Sequence, residues 1–223
     1  MLNAFYALKG KYADKKRLAD EAIYLERVLC NESGGVQDQI AASFGGLNRI
    51  NFNETGYEVN PVIIAPERKA QLNRNLMLFF TGFSRFSFDI QETTKKALTD
   101  EQARLLEMLS LVDDAERVLT SKTDLNEFGR LLDYTWKLKR GISGQISTDS
   151  IDGLYKKGIE AGALGGKLLG AGGGGFLLFY VEEDKQESVH KAMENLLYVP
   201  FKFENSGTRV IHYTPESYEK RAE

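Results

Sequence analysis

Asp38 lies in the stretch Ser33-Gly-Gly-Val-Gln-Asp38-Gln39, where two glycines break the chain and an apolar-periodic run, Ile40-Ala-Ala-Ser-Phe44, begins. A carboxylate in the first turn of a helix can accept a proton from a hydroxyl or face a cation. The same position also suits ordinary helix capping, because Asp accepts from free backbone N–H groups and the helix dipole favours its charge. Spacing alone leaves both readings open. Glu26 is a second carboxylate close to the same Gly-Gly turn, at the edge of the stripe formed by Leu18, Ala22, Leu25 and Leu29. It reads either as a metal-facing acid or as part of a solvated helix face.

The other concentrated feature is Lys167-Leu-Leu-Gly-Ala-Gly-Gly-Gly-Gly-Phe-Leu-Leu-Phe-Tyr180. Gly170 to Gly175 formally satisfy G-x-G-x-x-G, but a dinucleotide fingerprint must open a helix whose N-terminus meets the pyrophosphate. Here Phe176–Val181 follows, apolar and bounded by Glu182-Glu-Asp184, so the expected order is strand, glycines, strand. No Lys-Ser or Lys-Thr pair follows the glycines, which excludes the triphosphatase loop as well. Each glycine of such a run costs roughly 0.5–1 kcal/mol of conformational entropy relative to alanine, and a tight turn needs only one or two. A close backbone approach to a ligand or to another loop and a plain hairpin both remain open at this point.

Other chemistries find no support. Cys30 is the single cysteine, which excludes an intramolecular disulfide and makes a zinc site improbable. His190 and His212 have no Cys or carboxylate at ligand spacing, and no Ser sits in a G-x-S-x-G turn. Phosphate chemistry with a carboxylate is what remains.

Elements must position these groups. Residues 13–29 read as one helix, with a second starting near Asp38 and ending at Gly45-Gly46. Short β runs follow over 47–64, including Tyr57-Glu-Val and Val62-Ile-Ile64, and Pro61 and Pro66 bracket a domain boundary. Asn75–Thr81 is a buried strand candidate. Residues 101–119, 125–139 and 150–161 are amphipathic helices, the last ended by Gly162. Then come the glycine-flanking strands, a polar helix near 184–197 and a strand near Arg209–Tyr213. Without βαβ alternation, this order predicts an α+β fold with an antiparallel sheet. The 223 residues are 42% hydrophobic with net charge −3, which argues against disorder and against a nucleic-acid or membrane surface. No apolar run is long enough to span a bilayer, and the start lacks signal-peptide order, so a cytoplasmic protein is expected. Leu2, Phe5, Tyr6 and Leu8 at helical spacing, with no polar lead-in, read like the middle of a helix, which predicts an N-terminal truncation.

Two stretches taken together, Gly34-Gly-Val-Gln-Asp-Gln39 with Phe44-Gly-Gly46, and Gly165-Gly-Lys-Leu-Leu-Gly-Ala-Gly-Gly-Gly-Gly175, resemble the GHMP kinases. The Gln-Asp-Gln spelling, Leu76-Met-Leu-Phe-Phe-Thr-Gly82 with Arg85, and Leu131-Leu-Asp-Tyr-Thr-Trp-Lys-Leu-Lys-Arg140 resemble the branch that acts on D-glycero-D-manno-heptose 7-phosphate. The similarity runs through nearly the whole chain, in order. It implies the end of an N-terminal α+β domain over residues 1–66 and a ferredoxin-like C-terminal domain over 67–223, with the active site between them. It implies ATP and Mg²⁺ as cofactors, and transfer of phosphate to the anomeric hydroxyl of a sugar phosphate. Asp38 matches the family's catalytic aspartate. Glu26 resembles a helix glutamate that some members turn towards Mg²⁺, although its spacing from Asp38 is one residue longer than in the mevalonate kinase-like pattern. Gly170, Gly172, Gly173, Gly174 and Gly175 match the third family motif, and Gly34 and Gly35 frame the aspartate. Arg85, Lys139 and Arg140 are the candidates to hold the substrate's own phosphate. The resemblance also implies an upstream P-x-x-x-G-L-G-S-S-like loop that this sequence lacks. Kinases of fucose or galactose, and a catalytically silent fragment, are the alternatives.

Overall fold

Asn53-Glu-Thr-Gly56 turns the chain tightly: the Asn53 carboxamide oxygen accepts from the Thr55 amide at 3.0 Å, and Gly56 takes φ +144°. The hairpin it closes, β1 (Asn48–Asn53) and β2 (Gly56–Pro61), pairs antiparallel from Asn48 opposite Pro61 to Asn53 opposite Gly56. The computed structural model describes residues 1–32, 34–82, 101–142, 146–170 and 174–214. They fall into two units, Met1–Pro61 with the chain from Phe203 onward, and Val62–Lys202.

In the first unit, α1 (Leu2–Leu8) precedes α2 (Lys15–Tyr24), which is capped by Asp14 accepting from the Arg17 amide at 2.7 Å. The helix expected over 13–29 changes pitch: Leu25–Leu29 forms a π-turn, with the Cys30 amide bonded to the Leu25 carbonyl at 2.9 Å. A π-turn inserts an extra residue and re-aims the side chains beside it. Helix α3 (Gln37–Phe44) packs against α2, burying Ile40. Two of its C-terminal carbonyls, orphans of any helix end, are taken up, Ala42 O by the returning chain and Phe44 O by Lys15, and the returning chain also accepts from Gly46. Gly46 N–H donates to Glu204 O at 2.7 Å, Thr208 N–H to Ala42 O at 2.9 Å, and the Lys15 ammonium to Phe44 O at 2.6 Å. Gly45 (φ +64°) permits this approach, since a Cβ there would sit 1.9 Å from the Gly207 nitrogen.

The second unit holds α4 (Pro66–Arg74), β3 (Leu76–Phe80), α5 (Gln102–Thr120), α6 (Asn126–Ile142), α7 (Asp149–Glu160), β4 (Gly165–Leu169), β5 (Phe176–Tyr180), α8 (Gln186–Ala192) and β6 (Leu197–Tyr198). The four strands form one antiparallel sheet in the order β4-β5-β3-β6. Phe79, Trp136, Ile151, Leu168, Leu177 and Phe179 are the centre of a buried core that joins the sheet to the helices. Helix α6 lies along β4 at close range: a Cβ on Gly165 would fall 1.9 Å from the Gly129 carbonyl oxygen. The fold is α+β with antiparallel sheets, as the sequence order predicts.

Several expectations are corrected. Val62–Ile64 is not a strand, because β2 ends at Pro61, which has no N–H to continue the ladder. The fourth strand is Leu197–Tyr198, which pairs with Phe80 and Phe79. Arg209–Tyr213 forms no strand despite its apolar character. The two structural units part after Pro61, and the chain from Phe203 onward belongs to the first of them. The polar helix is shorter than 184–197, running over Gln186–Ala192 after a 3₁₀ turn at Glu183–Lys185. Among the described residues no helix is long and apolar enough to cross a membrane.

Candidate active site

In the first unit, α3 begins where Gly34 and Gly35 end the preceding irregular stretch. Val36 occupies the N-cap position with no side-chain cap, so Asp38 is the second helical residue and not the cap. Its carboxylate is exposed and makes no hydrogen bond or ion pair with any described residue. The helix dipole favours a negative charge in this turn. Asp38 is thus held by a helix and uncommitted.

Asp38 lines a cavity of about 390 Å³ together with Glu26, Gln39, Leu25, Ser43 and Thr208. Glu26 stands in the first turn of the π-helix and is half-buried, not on a fully solvated face. The Gln39 carboxamide N–H₂ donates to the Glu26 carboxylate across the α2–α3 packing. This bond fixes the orientation of the amide, because a flipped Gln39 would set two oxygens against each other. The remaining Gln39 carbonyl oxygen is then buried without a hydrogen-bond partner. A buried acceptor left unpaired costs about 1–3 kcal/mol, so this oxygen is poised to receive a donor. Gln39 carried no role in the sequence reading. Its place in Gln-Asp-Gln, one residue after the candidate base, was the available signal.

For Mg²⁺, the described residues contain no group of three or more His, Cys, Asp or Glu side chains close enough to cage an ion. Mg²⁺ commonly keeps several waters and takes only one or two carboxylates plus substrate phosphates. Glu26 and Asp38 on one cavity wall fit that sparse donor set.

In the second unit, the glycine segment joins β4 to β5, giving the strand–glycine–strand order expected. Gly172 and Gly173 lie outside the described residues, as does Arg85. Both ends of the hairpin are anchored. At Gly170 (φ +92°) the carbonyl accepts from the Lys139 ammonium at 3.3 Å. At Gly175 (φ +111°) the amide donates to the Thr81 hydroxyl at 3.2 Å, while that hydroxyl donates to Gly175 O at 2.9 Å. Gly174 is described and half-buried beside it. Thr81, just past β3, was not read as a site residue; a Thr following a buried strand gives little signal.

The basic candidates separate. Arg140 is committed: it donates to Asp152 at 2.5 Å, and Ser147 donates to the other oxygen of that carboxylate. Lys139 has no carboxylate within ion-pair distance among the described residues. Burial, with a contribution from the Lys167 charge, lowers its ammonium pKa to about 8. Burial lowers the pKa of Lys167 too.

The family description "GHMP kinases C terminal" matches residues 115–199. D-glycero-alpha-D-manno-heptose 7-phosphate kinase of Campylobacter jejuni is 35% identical over 179 residues, covering 79% of this chain and 52% of that protein. Galactokinase of Thermococcus kodakarensis is 28% identical over 97% of this chain and 64% of its own length. The crystal structure of a D-glycero-D-manno-heptose 1-phosphate kinase from Bacteroides thetaiotaomicron superposes with TM-score 0.62 at 27% identity, over 92% of this chain and 58% of that one. The chain therefore spans about half to two thirds of the length of these relatives.

Proposed function

The chain belongs to the GHMP kinases, and we propose that it forms the catalytic-aspartate and glycine-hairpin portion of an ATP-dependent sugar kinase. The proposed acceptor is D-glycero-D-manno-heptose 7-phosphate, phosphorylated at its anomeric hydroxyl to give the 1,7-bisphosphate. The observation that carries this reading is Asp38: an exposed, uncommitted carboxylate on the wall of a cavity that also holds Glu26 and Gln39. Similarity to the Campylobacter jejuni enzyme supports this choice of acceptor.

Phosphoryl transfer to an alcohol has a loose transition state, so positioning and charge neutralisation dominate. Asp38 accepts the anomeric hydroxyl proton as that oxygen forms its bond to the γ-phosphorus, and the bond between the γ-phosphorus and the bridging oxygen breaks to release ADP. General-base assistance of this kind contributes about 10²–10⁴-fold. Gln39 holds Glu26 in place, and Glu26 is the residue that would meet Mg²⁺. The ion, when bound, neutralises charge on the nucleotide phosphates. The glycine segment is anchored at its two ends by Thr81 and Lys139, and glycine permits close approach of backbone to a phosphate.

A second reading, a kinase of an unphosphorylated hexose, is favoured by the near-complete coverage of this chain by the Thermococcus kodakarensis galactokinase. An ADP-release assay separates the two. It compares heptose 7-phosphate, heptose, galactose and fucose, using this chain and the chain extended to the length of its relatives. Turnover confined to the phosphorylated heptose supports the proposal. Turnover with galactose or fucose alone replaces it with the second reading. No turnover with any sugar in the extended protein overturns both.

A further inference from the structure

Helix α6 and strand β4 run side by side. Gly129 meets Gly165 at one end and Lys139 meets the Gly170 carbonyl at the other. The ten residue steps from Gly129 to Lys139 rise about 15 Å along the helix, and the five steps from Gly165 to Gly170 rise about 16 Å along the strand. The two elements therefore stay in step along their length. Lys167 stands two residues beyond Gly165, so it points to the same face of the strand, the one α6 covers. Its neighbours Gly166 and Leu168 are buried, and Leu168 points into the core.

Two ammonium groups thus share one face at the root of the glycine hairpin. Neither has a carboxylate within ion-pair distance among the described residues. The nearest acid along α6, Asp133, is occupied by the Tyr155 hydroxyl at 2.8 Å and by Lys137 at 2.6 Å. The contact of Lys139 with Gly170 O is long and uses one donor of three. Burying like charges together without a counter-charge is unfavourable in isolation. A dianion between them reverses that balance, since each ammonium then gains a charge-assisted hydrogen bond.

We propose that Lys139 and Lys167 form a phosphoryl-dianion site at the base of the glycine hairpin, with Lys167 as the partner that Arg140, tied to Asp152, cannot be. The existence of the site follows from the geometry. Only the choice of phosphate as its anion rests on the kinase reading. The phosphate has two possible sources, the acceptor sugar's own phosphate or the nucleotide.

The test is trace acetylation of the chain at pH 8, read peptide by peptide by mass spectrometry, with inorganic phosphate or with chloride at matched ionic strength. Phosphate is expected to suppress acetylation of Lys139 and Lys167 several-fold and to leave exposed Lys137 unchanged. Lys167→Met should abolish phosphate protection at Lys139 while the variant melts as a folded protein. A sugar monophosphate that protects where ADP does not assigns the acceptor's phosphate, and the reverse result assigns the nucleotide. Equal protection by chloride, or none by phosphate, overturns the site. Because no turnover is measured, either result leaves the kinase reading to its own assay.

Discussion

Thr81 and Gly175 form a reciprocal pair: the threonine hydroxyl accepts from the glycine amide at 3.2 Å and donates to its carbonyl at 2.9 Å. A third bond, from the Thr81 amide to Gly175 O at 2.9 Å, extends the β3–β5 pairing by one residue into the glycine hairpin. The hydroxyl therefore sets where the strand stops and the glycine segment starts. Thr81 is buried, so Thr81→Val keeps the shape and strands the Gly175 amide. The expected cost is about 0.5–1.5 kcal/mol, the usual net worth of a hydrogen bond, because Gly175 is half-buried, with Thr81→Ser close to the parent. Urea unfolding of the three proteins checks this. A Thr81→Val variant as stable as Thr81→Ser would contradict it.

Asp38 differs in kind, because nothing in the fold depends on it. Asp38→Asn keeps the size and the place in α3 while removing the ability to accept a proton. In the kinase extended to the length of its relatives, kcat should fall by about 10²–10⁴-fold, with the melting temperature little changed. A drop in melting temperature that accounts for the lost activity would make Asp38 structural instead.

The Gln39–Glu26 bond predicts a pH signature. In Gln39→Glu a second carboxylate replaces the carboxamide donor against Glu26, and like charges at this range raise one of the two pKa values. The folded state then binds more protons than the unfolded state around pH 5. The variant should be destabilised at neutral pH and recover relative to the parent as the pH falls through that region. Parallel thermal melts at neutral and acidic pH give the comparison. A deficit independent of pH would refute the contact.

Gly45 offers a purely steric test. Its φ is +64°, and a Cβ on it would lie 1.9 Å from the Gly207 nitrogen, which leaves no room for a side chain. Gly45→Ala should cost about 3 kcal/mol or more, combining left-handed strain with overpacking. Amide exchange should show the loss first at Gly46 and Thr208, whose N–H groups bond across this junction.

What the sequence made legible divides along physical lines. Asp38 and the glycine hairpin could be read because their meaning is local: a charge beside a helix start, and glycines between two apolar strands. The helices over Gln102–Thr120 and Asn126–Ile142 could be read from their apolar stripes. Gln39 and Thr81 could not, since each acquires its role from a partner on another element. The strand expected at Arg209–Tyr213 failed because apolar character cannot report whether a sheet edge is available. Lys167 was overlooked inside its motif, though a lysine between Gly-Gly and Leu-Leu on a buried strand is itself anomalous.

Lys139 closes the set because its energetics change sign with conditions. Its folded-state pKa of about 8 lies below the unfolded value near ~10.4. Below about pH 8 the amine is charged in both states, and the fold bears the full cost of burying that charge beside Lys167. Between about pH 8 and ~10.4 folding releases a proton, so stability rises with pH as the cost fades. Above that interval the amine is neutral in both states and contributes nothing. Lys139→Met, which keeps the stem and removes the charge, should therefore melt higher than the parent at pH 7. The difference should shrink through the interval and vanish above it. Inorganic phosphate should raise the melting temperature of the parent at pH 7, because a ligand that binds only the folded state stabilises it by mass action, and should leave Lys139→Met less affected. Melting curves for both proteins at pH 7 and above pH 10, with and without phosphate, contain the whole test. A parent more stable than Lys139→Met at pH 7 in the absence of phosphate would show that the ammonium is paired within the fold and not held for a ligand.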